Sequence, residues 1–143
     1  DLIRVGVNNS KVIGIDIYRS LVKLTKKNLR KTPHFKEQLT NGNIIIKCGN
    51  GWNGWKANKP YHFIHVGAMA NSMPMKLVEQ LAIGGGMIIP INGTYYFIIK
   101  RSKHLFDKIT ITGVRFVELI DINTIRNKKQ LYPKSNDTCI INT

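Results

Sequence analysis

The sequence predicts an α/β protein whose core is a doubly wound, mostly parallel β-sheet. Short apolar runs typical of buried strands alternate with segments of helical periodicity, which is the pattern of βαβ units. Asn92-Gly93 then joins two consecutive strands, which indicates an antiparallel edge to the sheet. A length of 143 residues suits one hydrophobic core. We place the domain over residues 1–125 and a polar, flexible tail over residues 126–143.

The first half of the chain contains two predicted strands and one predicted helix. Residues 11–16 and 43–48 are the apolar runs that predict the strands. Between them, apolar residues at helical spacing begin near Ser20 and carry a lysine-rich polar side, and Pro33 is expected to end this helix. Residues 49–60 hold three glycines, two tryptophans and a proline, so we predict a loop.

The second half contains one helix and most of the strands. The helix is predicted to begin at Pro74, with Ser72 as its N-cap, and to end at the three glycines of residues 84–86. The remaining predicted strands cover residues 61–66, 87–91, 94–100 and 109–119.

Composition argues against several classes of protein. No apolar run reaches the roughly 18 residues that a membrane-spanning helix needs, and the chain does not open on a signal peptide. Two cysteines are too few for a disulfide framework, which favours a reducing, cytoplasmic setting. No spacing of cysteine and histidine indicates a zinc site, so no metal centre is expected.

A net charge of +14 is the strongest compositional feature. A basic domain can attract nucleic acid or another anionic surface. The basic residues, however, occur in short clusters spread along the chain, without an arginine-rich tract or interleaved aromatic residues. The abundance of Ile, Lys and Asn also fits AT-rich coding. We therefore favour a solvated basic surface over nucleic-acid binding.

Three predicted strand ends carry residues suited to ligand binding, since ligands of doubly wound sheets bind beyond the carboxyl ends of the strands. Asp16 can accept hydrogen bonds from a ribose diol, or can simply favour a helix N-terminus. The Gly-Asn-Gly run of residues 49–51 can border a flat ring, or form an ordinary turn. The small residues 67–70 can leave room for a ligand, or pack tightly against the next helix.

Other reactive side chains favour structural interpretations. His65 could be a general base, but a histidine within an apolar strand is more often packed and hydrogen-bonded. Trp52 and Trp55 could stack on a ligand, and we favour a role in capping the core. Cys48 has no evident basic partner, so we expect a buried, inert thiol.

The longest specific pattern runs over residues 60–91. It reads Pro-Tyr-His-Phe-Ile-His-Val-Gly-Ala-Met-Ala, then Met-Pro, Leu-Val-Glu-Gln-Leu, and Gly-Gly-Gly-Met-Ile-Ile-Pro-Ile. This resembles the tyrosine strand, VGAAA-like loop, proline-started helix and Gly-Gly turn of the protein-L-isoaspartate O-methyltransferase family. Residues 11–16 resemble the strand that follows the family's glycine-rich loop, and residues 114–119 its late VRFVPL-like strand. The resemblance covers roughly residues 10–120.

The resemblance implies a Rossmann-like, class I S-adenosylmethionine-dependent methyltransferase fold, of which this chain would be the C-terminal part. It implies methyl transfer from S-adenosylmethionine to the α-carboxylate of L-isoaspartyl residues in damaged proteins. No catalytic residue is expected, because that carboxylate is itself the nucleophile and needs only to be positioned. Two sets of binding residues are implied: Asp16, Ile17, Asn50 and Gly51 at the cofactor, with Asp16 at its ribose, and Gly67, Ala68 and Met69 at the substrate.

The chain also departs from the family pattern. Asn50 stands where the family usually has an aspartate beside the adenine, Met69 replaces an alanine, and Glu118 replaces a proline. Gly6 is the only glycine among residues 1–10, so the family's glycine-rich loop is not in view. The strand before that loop is central in the family's sheet, between the strands that end at Asp16 and near Val66, so its loss would expose two strand edges.

Three functions remain open from the sequence. The first is the repair methyltransferase, a monomer acting on isoaspartyl proteins and peptides, although we expect no turnover from residues 1–143 alone. The second is a degenerate methyltransferase-like domain without catalysis, which Asn50, Met69 and the missing loop favour. The third is a basic nucleic-acid-binding module, which only the charge favours.

Overall fold

The computed structural model describes residues 10–113 and 137–139. These residues divide into two compact units, the first holding residues 10–50 and 137–139 and the second holding residues 51–113. The elements of the described residues, in chain order, are β1 (Val12–Asp16), α1 (Arg19–Leu29), α2 (Pro33–Thr40), β2 (Ile44–Cys48), β3 (Tyr61–His65), α3 (Met75–Gln80), β4 (Leu81–Ile91), β5 (Thr94–Lys100) and β6 (Phe106–Gly113). Two single 3-10 turns, Gly51–Asn53 and Lys56–Asn58, lie between β2 and β3.

The first unit is built on the parallel pair of β1 and β2. Their register runs from Val12 opposite Ile44 to Asp16 opposite Cys48. Both strands are rich in isoleucine, whose branched side chains favour extended backbone. Helix α1 buries Val22, while most of its lysines are exposed to solvent.

Pro33 separates two helices. The prediction that a helix ends before Pro33 is confirmed, because α1 stops at Leu29. The sequence interpretation missed α2, which begins at Pro33 itself. A proline is well suited to the first helical position, where a backbone N–H has no acceptor within the helix.

The second unit is a four-stranded sheet in the order β3-β4-β5-β6. Strand β3 is parallel to β4, and the other neighbours are antiparallel. Asn92 and Gly93 form the predicted turn between β4 and β5, with φ angles of 49° and 81°. Positive φ at both positions is the requirement of a type I′ turn. The predicted strand over residues 94–100 is confirmed with the same bounds.

Helix α3 packs on one face of this sheet. Met87, Ile89 and Ile98 on the sheet are fully shielded from solvent, and Leu77 and Val78 of the helix join them in the core. Burying one such side chain contributes about 1.5–3 kcal/mol.

Strand β4 begins earlier than predicted. The helix ends at Gln80, so the three glycines of residues 84–86 lie within β4. A Cβ on Gly85 would stand 2.9–3.0 Å from three backbone oxygens, and one on Gly86 would stand 2.7 Å from the Phe97 ring. The glycines therefore allow close approach of neighbouring groups along the strand, where we predicted the end of a helix.

The described strands form two sheets, and two of their four neighbouring pairs are parallel. Within residues 10–113 and 137–139, β1 lies at an edge of the two-stranded sheet and β3 at an edge of the four-stranded sheet. These are the two strands whose edges the sequence predicted to be exposed. The part of the predicted last strand beyond residue 113, and the predicted domain boundary at residue 125, lie outside the described residues.

Candidate functional site

The carboxyl end of β1 presents an acid in a fixed position. The Asp16 carboxylate is half-buried, and its Oδ1 accepts a hydrogen bond of 2.9 Å from the Tyr18 backbone N–H. The backbone carbonyl of Asp16 accepts a second bond of 2.9 Å from the Gly49 N–H. Because β1 and β2 are parallel and in register, Asp16 and Cys48 lie at the same edge of the sheet.

Asp16 lies outside α1, two residues before its N-cap. Tyr18 is the N-cap of α1, and the first turn of that helix contains no acidic residue. Among the described residues, Oδ2 of Asp16 has no hydrogen-bond partner. A carboxylate with one oxygen anchored and the other open to a ligand has the acceptors that a ribose diol requires.

The other predicted cofactor residues are divided between the two units. Ile17 is buried at 9% exposure, and its carbonyl accepts the Cys139 N–H at 2.9 Å. Asn50 is half-buried and lies two residues beyond the end of β2, in the same unit as Asp16. Gly51 begins a 3-10 turn that belongs to the second unit.

The prediction for Cys48 is wrong. Cys48 is half-buried rather than buried, and it forms a disulfide with Cys139, 91 residues further along the chain. Sequence reasoning missed the pairing because two distant cysteines carry no information on their separation in space.

The predicted substrate loop lies in the second unit, directly after β3. Its two ends are held against β4, since the Val66 N–H donates to Ile88 at 2.9 Å and the Ala70 N–H donates to Pro90 at 2.8 Å. Between these anchors, Gly67 is exposed, and Ala68 and Met69 are half-buried. A Cβ on Gly67 would approach only the His65 ring, at 3.8 Å, so the start of the loop has open space beside it.

His65 is exposed, and the expectation of a packed histidine is wrong in that respect. Strand β3 alternates its side chains, so Ile64 packs against the core and His65 points to the other face of the sheet. Its Nε2 lies 3.4 Å from the Tyr95 hydroxyl. A weak contact of this length does not align a general base.

Gln80 organises the tryptophan loop, and the sequence interpretation missed it. Gln80 is 2% exposed, its Nε2 donates to the Asn53 and Lys76 carbonyls, and its Oε1 accepts the Trp55 N–H at 2.9 Å. The expected capping role of tryptophan is confirmed for Trp52, which packs against the core of the second unit. The sequence contained one indication of this role. Gln80 stands next to apolar helix positions, where a buried amide without hydrogen-bond partners would destabilise the fold.

None of the helices in the described ranges is long and apolar enough to cross a membrane. Residues 10–113 and 137–139 contain no cluster of three or more His, Cys, Asp or Glu side chains that could hold a metal ion.

Comparison with known proteins identifies relatives that match most of this chain. The family profile of protein-L-isoaspartate(D-aspartate) O-methyltransferase matches residues 2–124. The chain is 47% identical over 83 residues to a Caenorhabditis elegans protein-L-isoaspartate O-methyltransferase, covering 58% of this chain and 36% of the relative. It is 37% identical over 113 residues to the Arabidopsis thaliana protein-L-isoaspartate O-methyltransferase 2, covering 76% of this chain and 36% of that relative.

This chain is also similar to a solved structure. A Plasmodium falciparum protein-L-isoaspartate O-methyltransferase, crystallised in complex with S-adenosyl-L-homocysteine, superposes with a TM-score of 0.72 and is 31% identical. The match covers 82% of this chain and 56% of that chain.

The parallel pairing of β1 with β2 and of β3 with β4, together with this likeness, defines a class I S-adenosylmethionine-dependent methyltransferase fold, as the sequence predicted. The chain belongs to the protein-L-isoaspartate(D-aspartate) O-methyltransferase family. It spans between 36% and 56% of the length of the three relatives named above.

Proposed function

We propose that the protein transfers a methyl group from S-adenosylmethionine to the α-carboxylate of L-isoaspartyl residues in damaged proteins, which begins their repair. The observation that carries the proposal is the anchored, half-buried carboxylate of Asp16 at the carboxyl end of β1, in a chain of this family. Ligands of doubly wound sheets bind beyond the carboxyl ends of the strands.

The residues at this end of the sheet fit the adenosine part of the cofactor. Asp16 would accept hydrogen bonds from the ribose hydroxyls, and Ile17 would contact the same part of the cofactor. Asn50 and Gly51 would border the adenine, in a contact weakened or rearranged by the lack of a charged acceptor at Asn50. Bound there, S-adenosylmethionine supplies a methyl group activated by the positive charge on sulfur.

The substrate would lie along Gly67, Ala68 and Met69. The exposed Gly67 leaves room for a peptide backbone, and the anchors at Val66 and Ala70 keep the loop in one conformation. A held loop contributes to the rate by orienting the isoaspartyl carboxylate, since a positioned nucleophile needs no further activation by a base. Met69, being larger than alanine, would narrow this space.

Methyl transfer from labelled S-adenosylmethionine tests the proposal. The protein expressed from its complete reading frame should label a peptide that contains L-isoaspartate and leave the same peptide with ordinary aspartate unlabelled. Absence of transfer to the isoaspartyl peptide would favour the alternative of a non-catalytic methyltransferase-like domain.

Variants of Asp16 test its place at the ribose. Asp16→Ala should weaken binding of S-adenosylhomocysteine about 10- to 100-fold, because loss of hydrogen bonding to a charged group costs about 1.5–3 kcal/mol. Glu37→Ala is the matched control, because it removes an exposed carboxylate on α2 of the same unit that is not proposed to touch the cofactor. Equal affinity of wild-type protein and Asp16→Ala would contradict the assignment.

The setting of the activity is part of the same proposal. We infer a monomeric protein of the cytoplasm that uses neither nucleic acid nor a membrane. The lysines of α1 support a solvated basic surface, since most of them are exposed to solvent. Weak binding to DNA and RNA at about 0.15 M salt is expected, and tight binding with a steep salt dependence would overturn this inference.

A further inference from the structure

Residues 137–139 lie along the junction between β1 and α1. Thr138 forms an antiparallel bridge with Tyr18, and the Cys139 N–H donates to the Ile17 carbonyl at 2.9 Å. The disulfide to Cys48 attaches this segment to the carboxyl end of β2. One short segment thus connects the ends of both parallel strands, next to Asp16.

The same segment supplies the N-terminal cap that α1 lacks. Tyr18 makes no side-chain cap, but the Asp137 carboxylate accepts hydrogen bonds from the Ser20 N–H, at 2.9 Å, and from the Ser20 hydroxyl. The Arg19 Nε donates to the Thr138 carbonyl at 3.3 Å. A negative charge at this position also interacts favourably with the helix dipole.

The surroundings of the two sulfur atoms suit a dithiol as well as a disulfide. The Cys139 Sγ lies 3.6 Å from the Asp16 carbonyl oxygen, and the Cys48 Sγ lies 3.9 Å from that of Ile17. A disulfide sulfur has no hydrogen to donate, so each carbonyl can accept a bond from its neighbouring sulfur only when that cysteine is a thiol. Both oxidation states therefore have a place in the same local structure.

We propose that Cys48 and Cys139 are a reversible dithiol–disulfide pair, and that its oxidation fixes residues 137–139 on the β1–α1 junction beside Asp16. The oxidant is a low-molecular-weight disulfide such as glutathione disulfide. One cysteine thiolate attacks it and releases one glutathione thiolate; the second cysteine thiolate then attacks the mixed disulfide and releases the other. Two electrons pass to glutathione, and the two thiol protons end on its two thiols.

The exposure of the two cysteines determines which sulfur atom a reducing thiolate attacks. Cys48 is half-buried, whereas Cys139 is only 8% exposed. An incoming thiolate therefore reaches the Cys48 sulfur first, and Cys139 is the leaving thiolate. A pair that reducing thiols can open is also the kind of disulfide found in a reducing compartment, where such bonds are transient or serve redox sensing.

When the disulfide is formed, residues 137–139 hold the backbone around Asp16 without covering its carboxylate. Contacts of the segment go to the carbonyls of Asp16 and Ile17 and to residues 18–20, while the Asp16 carboxylate bonds only to the Tyr18 N–H among described residues. Oxidation therefore changes the rigidity of this end of the sheet. The reversible pairing of the two cysteines does not depend on methyl transfer, so a negative result for one proposal leaves the other unaffected.

The experiment compares the chain in glutathione-disulfide buffer and in dithiothreitol. Free thiols are alkylated and peptides are mapped by mass spectrometry, and amide hydrogen exchange is followed on the same samples. We expect a link between the Cys48 and Cys139 peptides in the first buffer. We also expect exchange of the Ser20 and Cys139 amides to be about tenfold faster in dithiothreitol. The Ser20 amide donates to Asp137 and the Cys139 amide donates to Ile17, so both bonds join residues 137–139 to the β1–α1 junction. The Val66 and Ala70 amides of the second unit should exchange equally in both buffers.

Cys48→Ser and Cys139→Ser are the matched variants, and each should exchange in both buffers like the reduced wild type. If a variant fails to fold, the wild-type chain in the two buffers still decides. The proposal is overturned by three results: both cysteines alkylated in the oxidising buffer, links formed only between separate chains, or an intramolecular link that leaves exchange at Ser20 and Cys139 unchanged.

Discussion

The two units of the chain are stabilised in different ways. The second unit buries a continuous apolar cluster, and Met87, Ile89 and Ile98 within it have no solvent exposure. In the described part of the first unit, the buried apolar residues are few and all retain 7–9% exposure; they are Ile17, Tyr18, Val22, Ile44 and Cys139. In this described part, the disulfide and the hydrogen bonds of residues 137–139 add to the limited apolar packing.

The largest expected effect comes from a cavity in the core of the second unit. Ile98→Ala removes a side chain with no solvent exposure, and we expect the free energy of unfolding to fall by about 2–5 kcal/mol. Ile111→Ala on β6 is the matched control, since Ile111 is 51% exposed and should cost less than about 1 kcal/mol. Denaturant unfolding followed by tryptophan fluorescence measures both, because Trp52 packs against this core. Equal losses from the two variants would contradict the assignment of the core.

The disulfide should matter almost as much, and in the other unit. Cys48 and Cys139 close a loop with a sequence separation of 91, and such a cross-link typically contributes about 2–4 kcal/mol by restricting the unfolded chain. Dithiothreitol should therefore lower the stability of the first unit by that amount. Circular dichroism of the helices α1 and α2 reports on this unit during thermal unfolding. A melting curve insensitive to dithiothreitol would show that the first unit has another source of stability.

A smaller loss is expected at the close approach of β4 to β5. Gly86→Ala places a Cβ 2.7 Å from the Phe97 ring, and such overpacking costs about 1–3 kcal/mol. Gly67→Ala is the control, because the nearest atom to its Cβ would be 3.8 Å away. The double variant Gly86→Ala with Phe97→Leu should recover part of the loss in denaturant unfolding. If the double variant recovers no stability, the loss in Gly86→Ala does not arise from contact with the Phe97 ring.

Sequence periodicity predicted the strands well because each is a short apolar run bounded by turn residues. The Asn92-Gly93 turn and the strand over residues 94–100 are local features, and both are confirmed. The misplaced start of β4 and the missed α2 have one origin. Glycine and proline were each interpreted as breaks, whereas Gly86 allows a close packing contact and Pro33 begins a helix.

The candidate site was predictable only in part, for a similar reason. Asp16 could be found because an acid after an apolar run is a local signal, and the structure anchors it at a strand end. The partners of that strand end, Asp137 and Cys139, lie more than a hundred residues away and carry no local pattern. Contacts across such a distance in sequence depend on the folded topology.

The smallest expected effect is a pH dependence confined to the second unit. Burial raises the pKa of the Tyr61 hydroxyl above its ordinary value of 10.0, and that hydroxyl donates to the Trp55 carbonyl at 2.5 Å. Because the folded state holds this proton more tightly than the unfolded state, the contribution is complete below pH 10 and decreases as the pH rises beyond it. Denaturant unfolding between about pH 9 and 11 should show a decline in stability that Tyr61→Phe reduces. Tyr95→Phe is the control, since it removes a hydroxyl that makes an exposed contact with His65 in the same unit, and it should leave the decline unchanged. An identical decline in wild type and Tyr61→Phe would show that the alkaline loss arises from another group.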